Sequence, residues 1–204
     1  MLAFLRDKAS DRKARLIACA CCRRLWHLLV SKQGRQAVEV AERVADGLAG
    51  QDEVSATSAG LVYLDRTTGA SARHFFAHAA VSYLFAAAEG GAVGYAAAVS
   101  SWAAGADHSY AVAHAAQADL LRCIFGSPFR PLPRLNAAWL AWEGGTVPKL
   151  AAAIYEERAF DRLPILGDAL EEAGCDAAEL LAHLRGPGPH ARGCWALDTL
   201  LGKV

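Results

Sequence analysis

Apolar positions recur at three- and four-residue steps along most of this chain, as the buried stripe of a helix requires, and no stretch alternates convincingly in the manner of a strand. The clearest case is KQGRQAVEVAERVADGL, residues 32–48, in which Ala37, Val40, Ala41, Val44 and Leu48 fall on one face. Ser31 is placed to cap that helix and Gly50 to end it. The same reasoning predicts a helix before it, capped by Ser10 or Asp11 and running to about Val30, and a weaker one over about 52–65. Ser71 begins a run to about Ala88, Gly90-Gly91 interrupts it, and a second run reaches Ala104. A further helix is expected from about Asp107 to Ile124.

FGSPFRPLPRLN, residues 125–136, carries three prolines and a glycine, so no helix continues through it. It is the natural link between an N-terminal part, 1–124, and a C-terminal part, 137–204, of what reads as one domain. Beyond it, Thr146 is placed as an N-cap with Pro148 in the first turn, and Pro164 opens the next helix. Gly174 should end that helix, with Asp176 and Glu179 forming a capping box for its successor. The last helix is expected from near His190 to Gly202. The pattern therefore predicts an all-α fold, a multi-helix bundle of about eight helices.

Composition agrees. Of the 204 residues 54% are hydrophobic and 21% charged, which excludes a disordered chain, and alanine, the best helix former, dominates the apolar set. AAVSYLFAAAEGGAVGYAAAVSSWAAGA, residues 79–106, has Glu89 as its one charge, but its Ala, Gly and Ser content supplies little insertion energy. Buried helices are the expected reading there, with no membrane partner. MLAFLRDKASDRK turns charged after five residues and has no apolar signal core. A cytoplasmic location is expected, with the six cysteines as thiols.

The net charge of zero conceals a split. Residues 1–35 carry nine Lys and Arg against two Asp, an excess the remainder of the chain cancels. On a helical wheel Arg12, Arg23, Arg24 and His27 share one side of the first helix, a ridge able to contact phosphates or another anionic partner. No nucleic-acid-binding signature accompanies it, so arginines that are solvated, or paired with Glu156, Glu157, Asp161, Glu171 and Glu172, are the simpler expectation. On the opposite side lie Ile17, Cys21, Cys22, Leu25, Leu28 and Leu29, with Cys19 and Trp26 at the border. The dense cysteines of RLIACACCRRLWH are thus expected to be core residues.

Two further groupings have metal-ligand chemistry. His74 and His78 lie one turn apart, but Phe75 stands where a zinc protease needs glutamate. Cys175, His183, His190 and Cys194 have the right donor types for zinc, in a spacing that matches no known module. Neither set displaces ordinary packing as the expected role, and no cofactor is called for. RGPGPHARGCW, residues 185–195, superficially resembles a phosphate loop. Pro187 and Pro189 remove the amide donors such a loop needs, so a stiff connector is the better reading, with Arg185 and Arg192 as anion contacts.

FLRDKASDRKARLIACACCRRLWHLL, QADLLRCIFGSPFRP and IYEERAFDRLPILGDALEEAGCDAAELLAHLRGPGPHARGCWALDTLLGK together resemble a family of uncharacterised helical proteins, highly multiplied in planctomycete-type bacteria. The resemblance covers residues 1–50 and 115–204 and implies no particular activity. It implies a start about a dozen residues upstream of Met1, and a cysteine in many relatives where this chain has Leu184. With no convergent catalytic set in view, the expected function is a non-catalytic protein-interaction or scaffold module. The alternatives are polyanion binding through the basic helix, and zinc binding through the Cys/His residues.

Overall fold

The computed structural model describes residues 9–64, 77, 79–82, 84, 99, 101–104, 109–126 and 133–203. No strand occurs among the described residues, and the fold is all-α. The runs predicted over 71–88 and up to Ala104 lie largely outside the described residues, as do His74 and His78. The chain divides into two compact units, residues 1–120 and 121–204.

In the first unit α1 (Asp11–Arg24), α2 (Lys32–Ala45) and α3 (Gln51–Leu64) pack in succession. Ser10 caps α1 by accepting from the Lys13 amide, and Ser31 caps α2 by accepting from Gly34. Helix α1 is buried along more of its surface than its wheel predicts: Cys19, at the border of the basic side, is as inaccessible as Ile17, Cys21 and Cys22, and so is Leu16. It also stops six residues before Val30. The Leu25 and Trp26 amides bond three residues back, to Cys22 and Arg23, and Arg35 Nε donates to the Leu29 carbonyl. These tight turns keep Leu25, Leu28 and Leu29 all in the interior. Helix α2 ends at Ala45, because Gly47 already takes a left-handed conformation.

Helix α4 (Tyr110–Phe125) carries the chain into the second unit. There α5 (Ala137–Ala141) and a 3₁₀ turn, Trp142–Gly144, precede α6 (Thr146–Glu157). A second 3₁₀ turn, Phe160–Arg162, leads into α7 (Leu163–Glu172), followed by α8 (Ala178–Arg185) and α9 (Trp195–Leu201). Helix α6 packs on α5, α7 and α9, and α7 packs on α8. The buried positions follow the helical period: Val147, Ala151, Ile154 and Tyr155 on α6, then Leu163, Leu166 and Leu170 on α7. Each fully buried leucine or isoleucine here contributes about 1.5–3 kcal/mol of transfer free energy.

Three local expectations change. Thr146 is the first residue of α6 and not its cap; Gly145 holds the cap position and the Thr146 hydroxyl donates to the Glu143 carbonyl. Asp176 and Glu179 form no capping box, since Ala177 precedes α8 without a side-chain cap. Helix α9 begins at Trp195, five residues later than expected, because Gly193 at φ +87° turns the chain out of helical geometry. Gly174, at φ +83°, does lie just past the end of α7.

Candidate metal centre

The break before α9 has a consequence for chemistry. As one helix, residues 190–194 would place His190 and Cys194 a turn apart on a common face. In the structure they belong to a turn in which the Cys194 amide bonds the Ala191 carbonyl, and Cys194 is the residue that precedes α9. Both side chains meet His183, in the last turn of α8, and Cys123, near the end of α4. One donor atom from each of the four lies within 4.8 Å of every other.

Individual separations are closer. His183 Nε2 is 3.2 Å from Cys194 Sγ, and His190 Nδ1 is 3.9 Å from Cys123 Sγ. The two imidazoles stand perpendicular with their centroids 5.0 Å apart. Around a zinc ion, bonds of about 2.3 Å to sulfur and 2.0–2.1 Å to nitrogen place tetrahedral ligand atoms roughly 3.3–3.8 Å from one another. The four donors fit that arrangement with small adjustments. Two thiolates and two neutral imidazoles would also balance a divalent cation to zero net charge, which favours a buried position. Cys123 and Cys194 are 2% and 0% exposed, and the two histidines are half-buried.

The end of α4 brings Cys123 to this place. Gly126, at φ +68°, closes the helix with its amide on the Arg122 carbonyl, and the Trp195 indole lies flat against it. A Cβ on Gly126 would stand 3.3 Å from Trp195 Cγ. Trp195 follows Cys194 directly, and Gly126 lies three residues after Cys123. The Trp195 ring also packs against His183, 5.1 Å between centroids.

The neighbours of Cys194 favour its thiolate form. The hydrogen bond with Cys123 is the largest influence holding Cys194 well below the usual thiol range; those with His183 and His190 act with it, and burial opposes all three. Burial pulls the His190 imidazole down, but its hydrogen bonds to Cys194 and the Gly186 carbonyl outweigh that and raise it above the ordinary histidine value. Both cysteines of the group are buried.

Three of the four C-terminal residues singled out in the sequence are therefore together, and Cys175 is not among them. Cys175 is buried after α7, where burial pushes its thiol up. Its place is taken by Cys123, sixty residues before His183 in sequence. Leu184 sits in the hydrophobic core of the second unit.

The basic ridge of α1 is largely engaged within its own unit. Arg12 Nε donates to Asp46 Oδ1 at 2.9 Å, and Arg23 grips both oxygens of buried Glu42 at 3.1 and 2.8 Å. Arg23 also stacks on Trp26, 4.1 Å above the ring, while His27 is exposed. Two of the acids expected as partners pair with other arginines: Glu157 with Arg162, and Glu171 with Arg185. Arg185 also holds Asp168, and Arg192 lies over the Tyr155 ring. Cys19, Cys21 and Cys22 are buried thiols, none of them in a disulfide.

No described helix is long and apolar enough to cross a membrane. No family model, curated protein or solved structure matches the chain.

Proposed function

We propose that the second unit is a zinc-binding, non-catalytic helical module, in which one metal ion joins the end of α4, the end of α8 and the turn before α9. The convergence of Cys123, His183, His190 and Cys194 within 4.8 Å carries this reading. Four protein donors fill a tetrahedron and leave no position for water or substrate, the pattern of a structural site. Short helices such as α8 and α9, of eight and seven residues, have little stability of their own. A metal that ties them to α4 supplies what their length does not. The requirement for reduced thiols suits a reducing compartment. With its interior fixed by metal, the module's role is to hold a shaped helical surface for a protein partner.

Cobalt(II) substitution tests this directly. Cobalt added to the metal-free chain is expected to give intense tetrahedral d–d bands and a thiolate-to-cobalt charge-transfer band, saturating at one equivalent and reversed by zinc. Weak octahedral bands, or no change, would reject the site.

A further inference from the structure

The two histidines face the centre through different nitrogens, and the loop that arranges this is built for it. His190 Nε2 lies 3.1 Å from the Gly186 carbonyl oxygen. A carbonyl only accepts, so Nε2 must carry the proton, and the lone pair of the neutral ring is left on Nδ1. Nδ1 is the atom that faces Cys123 Sγ. His183 presents Nε2 to Cys194 Sγ instead.

The same loop confines the ring from behind. Gly188 has φ +87°, and a Cβ there would stand 2.9 Å from the His190 backbone nitrogen and 3.1 Å from its Cδ2. Cδ2 neighbours Nε2, so glycine allows the loop to close on the edge of the ring opposite Nδ1. Gly186 is itself tight: a Cβ would stand 3.2 Å from the Ala182 carbonyl and 3.3 Å from that of His183. Its amide bonds the His183 carbonyl, which anchors the loop to the helix end carrying the other histidine.

We infer that the Gly186–Pro189 loop positions the metal ligands: it makes His190 bind zinc through Nδ1 while His183 binds through Nε2, with Gly186 and Gly188 as the positioning residues. This rests on the zinc-module reading. Outer partners of metal-bound histidines fix ring orientation and tautomer, and their loss weakens metal binding by about 10–100-fold.

Long-range ¹H–¹⁵N correlation spectra of the zinc-loaded, full-length chain test it. The expected pattern is a zinc-bound Nδ1 with a protonated Nε2 for His190, and the reverse for His183. Zinc bound through Nε2 of His190 would overturn the inference while leaving the zinc module intact; a chain that binds no zinc would remove both. Gly188→Ala supplies a second arm, read by competition against a chromophoric chelator with helix content followed in parallel. At unchanged helix content, at least tenfold weaker zinc binding is expected, and wild-type affinity would remove the loop's role. Should the variant not fold, the wild-type spectra still decide.

Discussion

Cys22 and Cys194 show how one residue type takes opposite roles according to its surroundings. Burial pushes the Cys22 thiol well above its ordinary value, and the neighbouring Cys19, Cys21 and Glu42 add to this. The folded chain keeps Cys22 neutral while the unfolded chain ionises it near pH 8.5, so its contribution is complete below that pH. The contribution is lost as pH rises toward the folded value. Urea midpoints should therefore fall above about pH 8.5. Cys22→Ala should cost about 1 kcal/mol at neutral pH and reduce the alkaline loss. Cys194 is shifted the other way, by its hydrogen bond with Cys123 first, which suits the ligand role proposed for it. Cys123→Ser and Cys194→Ser are each expected to abolish stoichiometric zinc, whereas Cys175→Ser should retain one zinc per chain by mass spectrometry of the native protein.

Between elements, two junctions lend themselves to test. Arg23→Ala removes the bidentate partner of Glu42, which is 3% exposed, and leaves a buried carboxylate facing α1. The expected cost is about 3 kcal/mol in chemical denaturation, whereas an exposed pair such as Arg162–Glu157 contributes less than about 1 kcal/mol. Gly126→Ala forces a side chain into a left-handed backbone and against Trp195; a loss of about 2 kcal/mol is expected, with weakened zinc binding in chelator competition. Neither junction was legible beforehand. The apolar period identified α2, which buries one stripe, and the prolines at 148 and 164 located the starts of α6 and α7. The period misjudged α1, whose burial extends past the stripe, and α9, because a wheel cannot register the turn at Gly193. The metal set was three-quarters visible, since His183, His190 and Cys194 are close in sequence. Cys123 was hidden by sixty residues of separation; its signal was the phrase LLRCIFG, a cysteine one turn before a helix-ending glycine.

At the scale of the molecule, the second unit is built largely from short helices, and the proposed metal ties three of their ends together. Binding that occurs in the folded state and not in the unfolded one is folding free energy, on the order of 10 kcal/mol for structural zinc. Stripping the metal should therefore lower the melting temperature by on the order of 10 °C or more. The measurement that bears most directly on this claim is metal content by plasma mass spectrometry on untagged chain purified without chelator, followed by thermal melts before and after chelation. One zinc per chain is expected, with a melting temperature that falls on chelation and returns with added zinc. A metal-free chain whose melting temperature does not respond to zinc would contradict that claim.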